Sequence, residues 1–285
     1  MPSPHQFVLL GFLPGLLFGS FLNVCISRLP AHQSIAKPRS HCNSCGRLIR
    51  WYDNIPVLSW LVLRARCRDC AAPIPWRYPL VEIAVGLWFA LCANKVLSAL
   101  DGVSPPVLGR SIFASEAVAA LGLAILGFLL LGLMVMDWQT QRLPDAFTLT
   151  GIVLGFGVTC IQAFLLAPVE SPAELIVPRI AAIAVAAFLL LAIRWLYRIL
   201  RRQDGMGLGD VKMLAMIAAF LGLDQTLLTL LAGVLAASLY GLALLALRRA
   251  NAASKLPFGS FLAAGGLCSA LFGQPIVAWY LSLMR

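Results

Sequence analysis

The chain has 285 residues, of which 60% are hydrophobic and only 12% are charged, whereas soluble domains carry about 25% charged residues. This composition excludes an ordinary soluble protein and predicts an all-α polytopic membrane protein. The formal net charge of +10 does not indicate nucleic-acid binding, because the basic residues are concentrated in loops between apolar runs. None of the three histidines lies in an apolar run, which excludes a histidine-based hydrolase triad or an HExxH zinc site in the membrane part.

Eight apolar runs predict about eight transmembrane helices. They cover residues 7–29, 79–98, 113–136, 146–167, 177–200, 211–223, 226–247 and 258–282. The first run lacks a preceding basic segment and is too long for the apolar part of a cleavable signal peptide, so we expect none. The run 211–223 would extend only ~20 Å at ~1.5 Å per residue, short of the ~30 Å hydrocarbon core. It is therefore either a short span or a re-entrant segment that would reverse the topology after it.

Basic residues predict the orientation of these helices. With an outside N-terminus, 18 of the 22 lysines and arginines lie in loops on the cytoplasmic side, as the positive-inside rule requires. The chain then divides into a first transmembrane helix (1–29), a cytoplasmic loop domain (30–78) and a membrane core of about seven helices (79–285). Small and polar residues in the first helix predict close packing against another helix. These residues are Gly15, Gly19, Ser20 and Asn23.

The cytoplasmic loop contains two Cys-x-x-Cys pairs, separated by 21 residues. They are Cys42 with Cys45, and Cys67 with Cys70. This layout is typical of a four-thiolate structural zinc site, although the spacing slightly exceeds the usual range. Redox chemistry is the alternative, but the reducing cytoplasm disfavours stable disulfides. A polar loop of this size buries little core, so metal binding would supply much of its folding free energy.

The stretch 205–212 places three glycines before an aspartate, Asp210, where an apolar run begins. It is not a P-loop, because the Gly-Lys-Ser/Thr ending is missing, and it is not a dinucleotide-binding turn, because no strand precedes it. A second aspartate, Asp137, closes the third apolar run. In the predicted topology both carboxylates lie at the cytoplasmic membrane face, and carboxylates at that depth are costly enough to indicate a function.

Two neighbouring carboxylates cannot easily both ionise, so they share one proton and titrate as a unit. One can deprotonate a water molecule while the other protonates a carbonyl oxygen or leaving amine, as in aspartic proteases. Structural alternatives remain open at this point. Asp137 could instead pair with Arg142, and Asp210 could cap the sixth helix. Asp145 is more simply a helix N-cap, and Glu82 either pairs with loop arginines or supports a site.

Several motifs together carry a resemblance to a known family over nearly the whole chain. They are residues 19–24 with 28–30, both cysteine pairs, 50–57, 77–82, 137–145, 205–212 and 256–259. The chain resembles the bifunctional prepilin leader peptidase and N-methyltransferase family of bacterial inner membranes. The resemblance implies an aspartic membrane peptidase of the Gly-x-Gly-Asp type. Its catalytic pair would be Asp137 and Asp210, with Gly207 and Gly209 as supporting motif residues.

The resemblance also implies the reaction. Family members cleave leaders from type IV prepilins and type II secretion pseudopilin precursors at the cytoplasmic membrane face. They then methylate the new N-terminal residue, usually phenylalanine, with S-adenosylmethionine, while zinc has a structural role. The expected location is the bacterial inner membrane, with prepilins and lipid as partners and no nucleic acid. The particular clients, the oligomeric state and the methyl-donor pocket are not predicted, because no soluble methyltransferase pattern of strands, helices and a glycine-rich loop is visible.

Three alternatives to the full bifunctional enzyme remain. A transporter with an aspartate proton or cation relay would also place acids in membrane helices, although near the bilayer midplane. A peptidase without methyltransferase activity and a zinc-anchored scaffold without chemistry are the others. For the enzyme, acidic groups such as Asp53, Glu82 or Asp145 are candidates for receiving the cationic leader.

Overall fold

Helices form nearly all of the regular structure in the computed structural model, which describes residues 4–100, 108–167, 171–202, 206–247 and 256–283. The helices are α1 (Pro4–Arg28), α2 (Leu58–Val62), α3 (Arg77–Leu100), α4 (Leu108–Thr140), α5 (Asp145–Leu166), α6 (Pro172–Arg201), α7 (Leu208–Leu221), α8 (Leu223–Ala246) and α9 (Phe258–Leu283). Each predicted apolar run is a helix, and α2 lies in the loop between α1 and α3. Gly205 and the basic residues Arg248, Arg249 and Lys255 fall outside the described residues.

Seven of these helices are long and apolar enough to cross a membrane, which confirms the predicted polytopic all-α fold. Helix α7 is not among them, because it has only 14 residues, or a length of ~21 Å. Nine of its residues are buried, and it packs against α5, α6, α8 and α9. A helix that is apolar on all sides is either surrounded by protein or exposed to lipid, and the four neighbouring helices show that α7 is surrounded by protein. The short run that the sequence left unresolved is therefore a central helix of its bundle.

The chain divides into two compact units, Met1–Gly132 and Leu133–Arg285. In the first unit, α1 and α3 pack tightly, and glycines at every fourth position of α1 allow this. A Cβ atom would lie 2.7 Å from the carbonyl oxygen of Phe89 at Gly11, and 2.6 Å from the Cα of Glu82 at Gly19. At Gly15, it would lie 2.7 Å from a backbone atom of α3. The predicted close packing of the first helix is confirmed, and it follows the small-residue rule of membrane helix pairs.

Candidate active site and candidate zinc site

Asp137 lies in the last turn of α4 and is only 5% exposed. The helix ends just after it, because Gln141 adopts a left-handed conformation with φ of 52°. The backbone N–H of Gln141 donates to the Asp137 carbonyl at 2.9 Å, which closes the helix C-terminus. The aspartate side chain therefore stands at a helix end inside the second unit, with the segment 141–144 leading on to α5.

The Asp137 carboxylate meets the N-terminus of α9. The backbone N–H of Ser260 donates to Asp137 Oδ2 at 2.7 Å, and the N–H of Gly259 also donates to this carboxylate. Ser260 Oγ lies 3.1 Å from Asp137 Oδ2 and 2.9 Å from the carbonyl oxygen of Met134. A helix N-terminus carries partial positive charge and unpaired N–H groups, so it holds an anion well. The sequence analysis did not identify Ser260 or Gly259 as site residues.

Asp210 is the third residue of α7 and is 8% exposed. Gly207 is the N-cap of this helix, and its backbone N–H donates to the Asp210 carboxylate. A side chain at the third position that reaches back to the N-cap N–H is half of a capping box. Asp210 is therefore not the N-cap of α7, and the contact with Gly207 fixes the direction of its carboxylate.

The two aspartates are brought together in the second unit. The two carboxyl groups are close enough to interact electrostatically. Leu143 lies beside the N-terminus of α7, which carries Asp210, and beside the N-terminus of α9, which binds the Asp137 carboxylate. A Cβ atom at Gly209 would lie 2.8 Å from Leu143 Cβ, and one at Gly259 would lie 3.1 Å from both Leu143 Cδ1 and Asp137 Cγ. Because glycine has no Cβ atom, Gly209 and Gly259 allow the C-terminus of α4 and the N-termini of α7 and α9 to converge.

We expect Gly209→Ala to destabilise the protein. A contact of 2.8 Å with a side chain anchored in a short connecting segment forces α7 or Leu143 to move, and overpacking of this kind costs about 1–3 kcal/mol. Gly157→Ala is the matched control, because a Cβ atom there would meet nothing within 4 Å. The thermal unfolding midpoint should fall for Gly209→Ala but not for Gly157→Ala. Equal midpoints would contradict the close approach of Gly209 and Leu143.

Asp145 is the first residue of α5 rather than its N-cap, which is Pro144. The N-cap prediction is wrong because the helix begins one residue earlier than expected after Pro144. The Asp145 carboxylate instead pairs with Lys212 Nζ at 2.6 Å. Both side chains are partly exposed, so the pair contributes little to stability. The ion pair connects the first turn of α5 to the N-terminal part of α7, near the two buried aspartates.

The four loop cysteines form the cluster that the sequence predicts. Their Sγ atoms all lie within 4.8 Å of one another, and those of Cys42 and Cys70 are 3.8 Å apart. A tetrahedral zinc ion with Zn–S bonds of ~2.3 Å requires sulfur–sulfur distances of ~3.8 Å. The donor set and its spacing therefore fit a closed four-thiolate zinc site, which needs no fifth ligand.

The two cysteine pairs have the same backbone structure. The N–H of Cys42 donates to the Arg47 carbonyl at 2.9 Å, and the N–H of Cys67 donates to the Ala72 carbonyl at 2.8 Å. The residue after each pair, Gly46 or Ala71, adopts a left-handed conformation. The signal for this repeat is visible in the sequence, where each Cys-x-x-Cys is followed four residues later by isoleucine.

Hydrogen bonds at the cysteine cluster favour metal binding, and an ion pair lies beside it. Hydrogen bonds from the backbone N–H groups of Cys45 and Ser44 lower the pKa of the Cys42 thiol to about 6, and zinc binds the thiolate. Beside the cluster, the Arg68 guanidinium donates two hydrogen bonds to Asp53, at 2.9 and 2.6 Å. These bonds hold the pKa of Asp53 below its ordinary value. Asp53 thus has a partner within the loop.

Glu82 is 8% exposed and lies where α1 and α3 approach most closely. Its Oε2 accepts the backbone N–H of Val57 at 2.7 Å, and the Ser20 hydroxyl also hydrogen-bonds to the carboxylate. The Glu82 carboxylate therefore connects both transmembrane helices to the loop between α1 and α3.

A helical membrane protein with two converging buried aspartates and a four-cysteine cluster is the class that the fold and the sites define. Two family models match this chain: the bacterial peptidase A24 N-terminal domain over residues 13–96 and the type IV leader peptidase family over residues 123–242. The chain belongs to the type IV leader peptidase family. This membership confirms the resemblance drawn from the sequence motifs.

Curated relatives are similar over most of their length. A Burkholderia pseudomallei (strain 1026b) protein is 37% identical, and the alignment covers 92% of this chain and 84% of the relative. A Pseudomonas putida protein is 33% identical, with 99% and 96% covered. Both relatives carry the name prepilin leader peptidase/N-methyltransferase. No solved structure matches the chain.

Proposed function

We propose that this protein cleaves the leader peptide from type IV prepilins and type II secretion pseudopilin precursors and then N-methylates the new N-terminal residue. Family membership and the name shared by relatives of similar length support both activities. The observation that carries the peptidase assignment is the convergence of Asp137 and Asp210 at helix ends. We assign these two residues as the catalytic pair.

The chemistry follows from one proton shared between two carboxyl groups. The ionised group removes a proton from a water molecule, whose oxygen then attacks the carbonyl carbon of the scissile peptide bond. The protonated group gives its proton to the carbonyl oxygen, and the resulting intermediate expels the amine as it takes up a proton. Hydrogen bonds from Ser260 and Gly207 to the two carboxylates fix their directions. Because both acids stand at helix ends rather than at mid-helix, the pair suits a reaction at the membrane surface better than an ion relay.

The cofactors of the proposal are structural zinc and S-adenosylmethionine. Cys42, Cys45, Cys67 and Cys70 would hold the zinc, since their four sulfur atoms lie within 4.8 Å of one another and those of Cys42 and Cys70 are 3.8 Å apart. S-adenosylmethionine supplies a methyl group bonded to a positively charged sulfur. We assign residues 30–78 to the zinc domain and place the peptidase within 79–285.

The proposed location is the bacterial inner membrane, with the active site facing the cytoplasm. The seven candidate spans support a multi-pass protein, and the excess of basic residues in alternate loops supports the orientation. The proposed substrates are helical membrane precursors with short cationic leaders. A cluster of Trp138, Tyr240 and Phe261, with ring centroids 5.3–6.4 Å apart, adjoins Asp137 and Ser260 in sequence and suits the apolar segment that follows the cleavage point.

Incubation of the purified full-length protein with a pilin precursor tests the proposal. Mass spectrometry should show loss of the leader without added cofactor. With S-adenosylmethionine present, the mature product should gain the mass of one methyl group at its N-terminus. An intact precursor would contradict the peptidase assignment, and a cleaved product that is never methylated would contradict the transferase assignment alone.

We expect Ser260→Ala to slow cleavage by roughly tenfold, because it removes one hydrogen bond to a charged group, worth about 1.5 kcal/mol, while the backbone N–H contact stays. Ser269→Ala is the matched control: Ser269 is also buried in α9, and its hydroxyl donates to the Gln225 carbonyl at 2.8 Å. Both variants should lose similar stability, whereas only Ser260→Ala should change the pH profile of cleavage. Identical pH profiles in both would show that Ser260 does not position Asp137.

A further inference from the structure

A cavity of about 490 Å³ lies in the first unit, between the cytoplasmic loop and the adjoining ends of α1 and α3. We propose that this cavity binds the methyl donor, S-adenosylmethionine, and that Asn23 and Glu82 contact it. The proposal rests on the methyltransferase half of the proposed function and deepens it by assigning a site.

The cavity has the size and lining of a small-molecule site. Pockets of about 300–1,000 Å³ accommodate compounds as large as S-adenosylmethionine. The walls combine apolar and aromatic side chains, such as Val24 and Trp60, with a larger number of polar and charged ones, including Arg28, Arg68 and Glu82. The donor needs both kinds of contact, because it joins an adenine ring to a charged amino-acid end.

Asn23 gives the first direct sign of a ligand. Its side chain is 3% exposed and lines the cavity. The amide Nδ2 donates to the Tyr78 carbonyl at 3.0 Å, which fixes the amide, whereas Oδ1 is buried with no hydrogen-bond partner. A buried acceptor left unpaired is costly and uncommon in folded proteins. An N–H or O–H group of a bound molecule would satisfy it, and the donor offers adenine amino, ribose hydroxyl and ammonium groups.

Glu82 gives the second sign, because it brings a negative charge to the same cavity. Its carboxylate is held by the backbone N–H of Val57 and by the Ser20 hydroxyl. Val57 donates this bond from a left-handed conformation, with φ of 59°, which is unfavourable for a β-branched residue. Local strain of this kind is retained where the surrounding structure requires it. An anion so fixed complements the cationic sulfur or ammonium group of the donor.

The zinc site adjoins the same space, since Cys42 and Cys67 also line the cavity. The loop that the metal would order therefore forms one wall of the proposed pocket. This arrangement explains why a methyltransferase without a soluble nucleotide-binding fold carries a four-cysteine loop. The loop closes a pocket that two membrane helices alone would leave open to solvent.

Binding of isotopically labelled S-adenosylmethionine to the purified full-length protein tests the site directly. Asn23→Ala and Glu82→Gln should each weaken binding by about tenfold or more, since each loses a hydrogen-bonded or charged contact, and Asn23→Ala should keep leader cleavage. Asn94→Ala and Glu116→Gln are matched controls on exposed positions of α3 and α4 and should bind as the wild type does. Unchanged binding in both Asn23→Ala and Glu82→Gln would overturn the inference and leave the proposed function standing.

Photochemical cross-linking of the labelled donor to the wild-type protein avoids any loss of folding in the variants. Label recovered in peptides that contain Asn23, Val57 or Glu82 is the expected result. Label confined to Leu133–Arg285 would overturn the inference. A wild-type protein that cleaves precursor but binds no donor would overturn the methyltransferase half of the proposed function, and the pocket assignment with it.

Discussion

Replacing either Asp137 or Asp210 by asparagine should abolish leader cleavage, with a loss of roughly 10²–10⁴-fold or more, the usual contribution of general acid–base catalysis. Asparagine has nearly the same shape as aspartate and keeps one oxygen as a hydrogen-bond acceptor. The contacts from Ser260 and Gly207 can therefore persist while the shared proton is lost. Cleavage of a purified pilin precursor, followed by mass spectrometry, measures the effect.

Asp224→Asn is the matched control for these two variants. Asp224 lies in the first turn of α8 and is exposed, so the same substitution there changes a carboxylate outside the site. It should cleave at the wild-type rate. Equal thermal unfolding midpoints in all three variants would show that the losses arise from chemistry. Full cleavage by Asp137→Asn or Asp210→Asn would reject the assigned pair.

Replacing Cys67 by serine should remove zinc from the protein and unfold the loop between α1 and α3. Structural zinc sites of this type contribute about 10–16 kcal/mol of apparent binding free energy at neutral pH, and three thiolates hold the ion far less well than four. Elemental analysis should give close to one zinc per wild-type chain and much less for Cys67→Ser. Limited proteolysis should then cut the variant between α1 and α3.

Cys268→Ser controls for the loss of a thiol as such. Cys268 is an exposed residue of α9, outside the cluster, and its replacement should leave the zinc content unchanged. Equal zinc in wild type, Cys67→Ser and Cys268→Ser would contradict the four-thiolate site. Zinc lost from both variants would show that the metal is bound elsewhere or nonspecifically.

The helices, the four cysteines and the two aspartates could be predicted because each leaves a local mark in the sequence. Apolar runs are unambiguous when they are long. The Cys-x-x-Cys spacing identifies two metal ligands at a time. An aspartate beside an apolar run costs free energy in a membrane, so it indicates a function. The position of α7 is harder to predict from the sequence, since apolar residues suit contact with lipid and with protein equally well. Only the packing shows that this helix is surrounded by protein.

The groups that support the aspartates could not be predicted. Ser260 holds Asp137 partly through its backbone N–H, which any residue except proline could supply, so the contact leaves little signal in the sequence. Nothing in the sequence distinguishes Leu143 from other loop residues. Its role depends on contacts with Gly209 and Gly259, which are distant from it in the chain. From the sequence, Asn23 is predicted only to pack against a neighbouring helix. Its unpaired oxygen depends on which atoms of α3 and the loop surround it.

The most direct test of the shared-proton pair is the cleavage rate of the double variant Asp137→Asn/Asp210→Asn beside the two single variants. Groups that act as one catalytic unit are strongly non-additive. The double variant should therefore be no slower than the slower single variant. A double variant slowed by the product of the two single losses would contradict a joint role for the two carboxylates.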